Sequence, residues 1–303
     1  MISAQTVKEL REKTGCGMME CKKALTECGG DMEKAIEYLR ERGIAVAAKK
    51  AGRIASEGLV AAFTEDNVSV VLEVNSETDF VAKNEEFQKF VKDVAEQIIK
   101  NNPADVESLL TEKSLVDPSK TIDDLLKEKI ATIGENMNIR RFVRYEGIAK
   151  TYVHGGGRIG VIVKFDLADP SKASAPEFDE YAKDMAMQIA AAFPQYLDKN
   201  AVPKDTLDKE MEILRQQALN EGKPEAIVDK MVMGRIAKFY KEVCLVEQPF
   251  IKDQDKSVTK VTKEVSDKIG TEIKIAEFAR LEKGEGLEKR EDNFADEVAS
   301  MMK

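Results

Sequence analysis

Over the first fifty residues, apolar side chains recur at helical spacing and are broken by glycine-bearing turns. Ser3 can cap a first helix whose inward face carries Val7 and Leu10. Thr14-Gly15-Cys16-Gly17 reads as a turn, Met18 to Cys28 as a second helix, and Gly29-Gly30 as its stop. Asp31 then caps a third helix with Ala35, Ile36 and Leu39 inward and Gly43 closing it. Ile44 to Gly52, rich in Ala and Lys and without a strong turn signal, reads as a tether that the sequence allows to be helical.

From Glu57 the period becomes two. Leu59–Phe63 and Val68–Val74 are strand-like about a turn at Glu65-Asp66-Asn67, and Asn75–Asn84 leads into a helix marked by Phe87, Phe90, Val91, Val94 and Ile98. Pro103 suits a helix start, and Thr121 can cap Ile122–Ile133. Three strands follow, Ile139–Tyr145, Ile148–Val153 and Ile159–Phe165, the last two turned by His154-Gly155-Gly156-Gly157. A helix over Phe178–Phe193 ends at Pro194.

This pattern repeats itself. Glu57-Gly58-Leu59 matches Glu146-Gly147-Ile148, and Lys92-Asp93-Val94-Ala95-Glu96-Gln97-Ile98 matches Lys183-Asp184-Met185-Ala186-Met187-Gln188-Ile189. Ile139, Phe142, Arg144 and Glu146 recur at identical offsets as Ile275, Phe278, Arg280 and Glu282. Between the second unit's helix and that last strand lie two helices joined at Gly222-Lys223-Pro224. Their predicted seam is Leu207, Met211, Leu214 and Ala218 against Met233, Ala237, Tyr240 and Cys244. The sequence allows this hairpin to be either an arm or a layer packed on the core. Glu291–Met302 reads as a final amphipathic helix. The expected architecture is an α+β fold. It comprises a three-helix docking module (1–52), a first core subdomain (53–138), and a second core subdomain (139–200 and 246–285). An antiparallel, coiled-coil-like hairpin (201–245) is inserted, and a C-terminal helical module (286–303) closes the chain. Both core units combine antiparallel sheet with helix.

Composition narrows the function classes. The net charge is −9, and a nucleic-acid binder needs a basic face; only local basic pairs, Arg140-Arg141 and Lys49-Lys50, are present. The acidic balance favours a protein partner and no direct nucleic acid. No apolar run approaches the roughly 18–20 residues that span a bilayer, and Met1–Thr6 resembles neither a secretory nor a transit leader, so a cytoplasmic protein without membrane contact is expected. Cys16, Cys21, Cys28 and Cys244 lack metal-site spacing and read as reduced, partly buried side chains, so no metal is expected. The single histidine, His154, lies in a glycine-rich turn without a nucleophile motif, and no phosphate-cradling loop opens a helix. No carboxylate pair stands out as acid and base. A non-enzyme without cofactor is the expectation.

Three stretches carry a resemblance. Leu10-Arg11-Glu12-Lys13-Thr14-Gly15-Cys16-Gly17-Met18-Met19-Glu20-Cys21-Lys22-Lys23-Ala24-Leu25, Asn75-Ser76-Glu77-Thr78-Asp79-Phe80-Val81-Ala82-Lys83-Asn84 and His154-Gly155-Gly156-Gly157-Arg158-Ile159-Gly160-Val161 together resemble the elongation factor Ts family, as does the order of elements. Cys16 departs from the alanine frequent there. The resemblance implies a guanine nucleotide exchange factor in translation elongation. Such a factor binds elongation factor Tu carrying GDP, disturbs its Mg²⁺ and phosphate site, and releases GDP so that GTP can bind. It implies that Thr78, Asp79, Phe80 and Val81 intrude beside the Mg²⁺ site, and that Leu10, Thr14, Gly17, Met18, Met19, Lys22 and His154 make further partner contacts. A homodimer or a two-plus-two complex with the partner is compatible with it. From the residues alone, Phe80 reads as core, Asp79 as a helix cap and His154 as a hairpin tip. A docking adaptor, an RNA-binding factor and a hydrolase using His154 are the competing functions.

Overall fold

The computed structural model describes residues 2–289. Its elements run α1 (Ala4–Thr14), α2 (Met18–Glu27), α3 (Met32–Lys50), β1 (Glu57–Glu65), β2 (Val68–Ser76), α4 (Asp79–Ala82), α5 (Glu85–Asn101), α6 (Val106–Thr111), α7 (Ile122–Ile133) and β3 (Met137–Glu146). There follow β4 (Ala149–His154), β5 (Ile159–Leu167), α8 (Pro176–Ala192), α9 (Lys204–Asn220), α10 (Glu225–Val243), β6 (Pro249–Phe250), β7 (Asp253–Ser257), α11 (Val258–Ile269) and β8 (Ile273–Glu282). This is an α+β fold with N-terminal helices, small antiparallel sheets and an inserted helical hairpin. The final helix expected over Glu291–Met302, and with it most of the module at 286–303, lies outside the described residues.

The first three helices close on a small core of Val7, Leu10, Cys21, Ala24, Leu25, Ala35 and Leu39. The Ser3 and Asp31 side chains accept the first backbone N–H groups of α1 and α3. Two expectations are corrected here. Ile36 is exposed rather than inward. Gly43 does not close α3, which continues through the segment read as a tether as far as Lys50. A helical glycine costs about 1 kcal/mol relative to alanine. At Gly43 the helix crosses α7, however, and a Cβ there would already lie 3.5 Å from that of Ala131. Packing against α7 therefore overrides the local stop signal.

The core is two three-stranded antiparallel sheets, ordered β1-β2-β3 and β4-β5-β8. β3, expected in the second unit from residue 139, pairs with β2 from Ser76↔Met137 to Val68↔Glu146 and completes the first sheet. β8 completes the second in the same way. The echo between Ile139–Glu146 and Ile275–Glu282 thus marks the closing strand of each half. The register confirms it: Val74 faces Ile139 just after a bulge in one sheet, and Phe165 faces Ile275 just after a bulge in the other.

Alternation along the central strands sets the layers. Val70, Leu72 and Val74 point into a core shared with Phe87, Val91, Val94 and Ile98 of α5. Val161, Val163 and Phe165 meet Phe178, Met185 and Ile189 of α8. The opposite faces meet each other through Val60, Val71, Ile162 and Leu281. Helices therefore lie outside and the sheets face inward. The approach is close enough that a Cβ at Gly160 would fall 2.4 Å from Val60 Cγ1, and the Val60 N–H donates to the Gly157 carbonyl at 2.7 Å.

One charge is buried in this contact. Glu73 on β2 is wholly inaccessible and accepts from Arg140 (3.1 Å), Arg141 (2.7 Å), Asn75 (3.1 Å) and the backbone N–H of Gly284 (2.7 Å), just beyond β8. Burial alone would raise its pKa, but the Gly284, Asn75 and Arg141 donors outweigh it and hold the carboxyl below its ordinary value. Arg140-Arg141 is thus no free basic pocket.

Elsewhere, α6 starts at Asp105, which accepts from the Ser108 N–H, and Pro103 lies outside it. α11 is an element the sequence reading did not identify, although Ser257 caps it and left-handed Gly270 ends it. In the hairpin, Leu207, Met211, Leu214 and Ala218 do form the α9 seam, but they meet Val228, Val232, Ile236 and Tyr240. Met233 is exposed and Cys244 belongs to the hairpin base with Val202 and Val243. The α10 seam thus keeps Tyr240 as expected but takes Val228, Val232 and Ile236 in place of Met233, Ala237 and Cys244. Beyond their mutual contact, α9 and α10 meet the rest of the described chain chiefly at this base, so the hairpin is an arm.

Glu73→Ala, which strands two arginines, is expected to cost about 3–5 kcal/mol in urea unfolding. A depressed native pKa stabilises above the unfolded-state value and loses that stabilisation as pH falls through the native value. The gap in stability between wild type and Glu73→Ala should therefore shrink on acidification below the ordinary carboxylate range.

Candidate functional site

β2 ends at Ser76, whose hydroxyl donates to the Thr78 carbonyl at 2.9 Å. Thr78 stands at the N-cap position of α4 but does not cap it with its side chain. Instead its hydroxyl donates to Glu135 Oε1 (2.7 Å) and its N–H to Glu135 Oε2 (3.0 Å). The exchange is returned: Glu77 Oε1 accepts from the Asn136 N–H at 2.6 Å. Two adjacent carboxylates thus clasp the end of β2 to the segment between α7 and β3.

From this clasp a single helical turn projects. Val81 is 7% exposed and sits in the α5 core, whereas Phe80 is 79% exposed. Phe80 is therefore not a core residue, and Val81 is the anchor that fixes the turn. Asp79 pairs with Lys83 at 3.1 Å in solvent and caps nothing; an exposed pair of this kind contributes about 0–1 kcal/mol. The Lys83 ammonium lies 5.8 Å from the Phe80 ring centre. Leaving a Phe in water forgoes about 1.5–3 kcal/mol of burial.

At the start of α2, Met18 and Met19 are 57% and 74% exposed, and Gly17 and Lys22 are exposed beside them. Two unbranched thioethers make an adaptable apolar surface. Thr14 is half-buried and donates to the Leu10 carbonyl at 2.8 Å. Leu10 itself is fully buried, so it shapes this surface from within and presents none of its own. Cys16, Cys21, Cys28 and Cys244 are free thiols; burial pushes Cys16 up, and Cys244 up to about 11.

α7 joins these two regions. Arg40 of α3 bonds Asp124 at 2.9 Å, the Lys50 ammonium donates to the Gly134 carbonyl, and the next residue is the clasp's Glu135. Lys50 is thereby engaged within the chain, as Arg140 and Arg141 are.

His154 is exposed at the β4–β5 turn, where Gly155, Gly156 and Gly157 all take positive φ. The one hydrogen-bond partner of its imidazole among the described residues is the Tyr152 hydroxyl, 3.0 Å from Nδ1, and no carboxylate bonds it. The turn borders an apolar groove of about 390 Å³ lined by Leu59–Phe63, Gln88 and Val91. Gln88 also donates to the Ala82 carbonyl at 3.1 Å, so His154 and the Phe80 turn flank the same end of α5. No group of three or more potential metal ligands occurs among the described residues.

Sequence reasoning missed Glu77, Glu135 and Asn136 as supports of the site. The one local signal was Gly134, whose left-handed conformation ends α7 and turns Glu135 back toward β2.

A family model described as Elongation factor TS matches residues 77–285. Curated relatives carry the name Elongation factor Ts. That of Clostridium perfringens (strain 13 / Type A) is 55% identical over 306 residues, covering 99% of both chains. Those of Clostridium novyi (strain NT) and Clostridium botulinum (strain Loch Maree / Type A3) are 53% and 52% identical, each over 100% of this chain and 99% of the relative.

The link through α7 can be tested by titration. Burial would raise the Asp124 pKa, but the Thr121 cap bonds and Arg40 lower it to about 2. A depressed carboxylate contributes its stabilisation above its ordinary value and loses it as pH falls through the native one. The protection factors of the α3 amides, taken relative to the intrinsic exchange rate at each pH, should therefore fall between about pH 4 and pH 2. Asp124→Asn should show the lowered protection already at neutral pH.

Proposed function

The chain belongs to the elongation factor Ts family, and on that premise we propose that it binds elongation factor Tu carrying GDP, disturbs the Mg²⁺ and phosphate site of that partner, and so promotes GDP release and GTP entry in translation elongation. The observation that carries this reading is Phe80, held in solvent on a turn anchored by Thr78 and Val81. Phe80 acts as a wedge, with Thr78 and Asp79 beside it and Val81 as its root. Gly17, Met18, Met19 and Lys22 form the docking surface for the partner's GTPase domain, with Thr14 at its edge and Leu10 supporting it from below. His154 adds a contact near the wedge. The second half of the chain grips another domain of the partner, and a homodimer or two-plus-two assembly is compatible with this arrangement.

The energetics follow from linkage. Exchange factor and nucleotide weaken each other's binding by the same factor. A thousandfold weakening needs about 4 kcal/mol of coupling, and burying one Phe yields roughly 1.5–3 kcal/mol. The wedge therefore supplies a large part of the coupling. Loosening Mg²⁺, which ties the phosphates to the partner, supplies the remainder. No covalent bond is made or broken, so the chain needs neither catalytic residues nor a cofactor. The −9 charge and the internal engagement of Arg140, Arg141 and Lys50 support a protein partner over RNA. No helix among the described residues is long and apolar enough to cross a membrane. The proposed place of action is the cytoplasm, where translation occurs.

The test is release of fluorescent GDP from elongation factor Tu in excess unlabelled GDP. Wild type should accelerate release, and Phe80→Ala should lose about ten- to a hundredfold of that acceleration, the equivalent of one buried Phe. Binding by the folded wild type without acceleration would replace the exchange reading with that of a docking adaptor.

A further inference from the structure

We infer that Glu135 is a positioning residue for nucleotide exchange: its carboxylate sets the wedge at Phe80 and ties it, through α7, to the helices that dock. The inference rests on the exchange reading above and adds a residue that touches neither nucleotide nor partner.

The duplication of the core provides an internal control. Val74 and Phe165 occupy the same place in the two sheets, as do Ile139 and Ile275. Thr78 lies four residues after Val74, and Asp169 four after Phe165; Glu135 lies four before Ile139, and Thr271 four before Ile275. In the second half the Asp169 N–H donates to Thr271 Oγ1 at 2.9 Å, just as the Thr78 N–H donates to Glu135 in the first. Both acceptors follow a left-handed glycine, Gly134 or Gly270, that ends a 12-residue helix. A tie from this backbone N–H to a side-chain oxygen is thus a shared part of the fold, and a neutral hydroxyl suffices for it.

The first half has more than the fold requires. Glu135 takes a second bond from the Thr78 hydroxyl, and charge-assisted bonds of this kind are about twice as strong as neutral ones. The excess occurs in the half that presents Phe80, where the equivalent position of the other half is Ser171. It is also placed at some cost, since a carboxylate at a helix C-terminus opposes the helix dipole. The Lys50 ammonium on the adjacent Gly134 carbonyl offsets that cost and comes from α3, the helix that runs down from the docking module. A carboxylate that the sheet does not require, doubly bonded to Thr78 two residues before Phe80 and adjacent to a carbonyl held by α3, is suited to hold Phe80 in its exposed position before the partner arrives.

The experiment compares Glu135→Gln, Glu135→Ala, Phe80→Ala, the Phe80→Ala/Glu135→Ala double variant and Thr271→Val. Two readouts are taken: the maximal rate of fluorescent GDP release from elongation factor Tu at saturating chain, and amide exchange of residues 78–82 in the free chain. Glu135→Ala should slow maximal release about tenfold, equivalent to ~1.4 kcal/mol, and raise amide exchange over 78–82. Glu135→Gln keeps shape and one acceptor oxygen and should fall between it and wild type, and it carries the test if the alanine variant does not fold. The double variant should be no slower than Phe80→Ala, because Glu135 acts only through Phe80. Thr271→Val should lower the melting temperature and leave release unchanged. Wild-type release by Glu135→Ala, unchanged amide exchange, multiplicative loss in the double variant, or equal slowing by Thr271→Val would each overturn the assignment. Failure of the wild type to accelerate release would remove the exchange reading and the role given to Glu135 together, while the amide measurement would still decide whether the pin exists.

Discussion

The two sheets meet face to face, and the carboxylate of Glu73 lies inside that contact with no water to solvate it. A buried charge is tolerated only where donors replace its hydration shell. Here the donors come from β3, from β2 itself and from the backbone beyond β8, so the charge is satisfied only when both sheets are complete and correctly apposed. Hydrophobic contact through Val60, Val71, Ile162 and Leu281 would hold the sheets together at several offsets; the carboxylate and its arginines select one. The absence of a side chain at Gly160 lets them come close enough for this to occur.

With that frame set, the functional surface is built on one side of the first sheet. α5 and α7 pack on its outer face, and the gap between β2 and α5 is bridged by the Phe80 turn. α7 then serves two neighbours. Along its length it receives α3 from the N-terminal helices, and at its end it delivers Glu135 to Thr78. The N-terminal helices and the Phe80 turn, the proposed docking surface and wedge, are therefore both tied to α7. This is the arrangement needed if binding energy gained at Met18 and Met19 is to be used at Phe80.

Duplication explains how such a surface arose within a small fold. Both halves share strand order, bulge position, helix ends and the backbone tie after the central strand. They differ in what was added: Phe80 on the short helical turn after the central strand in the first half, where the second half has a 3-10 turn (Pro170–Ser174) with Ser171 at that place, and a helical arm between α8 and β6 in the second half. Neither addition disturbs the sheets, because each is inserted at a loop whose ends the shared framework already holds.

The sequence by itself determined most of the elements and the repeat. Periodicity, caps and glycines are local, so Ser3, Asp31, Thr121 and the alternating strands were legible without any tertiary information. The motif around Phe80 was legible as a resemblance. Only the tertiary structure decided which of Phe80 and Val81 faces solvent, that α3 runs on through Gly43, that β3 closes the first sheet, and which α10 stripe faces α9. It alone brought Glu135 to Thr78 and Glu73 to Gly284, pairs separated by 57 and 211 residues. The reason is the range of the forces involved. Dihedral preference and amphipathic spacing act within a few residues. Burial and the satisfaction of a buried charge depend on partners that the chain supplies only after it has folded back on itself.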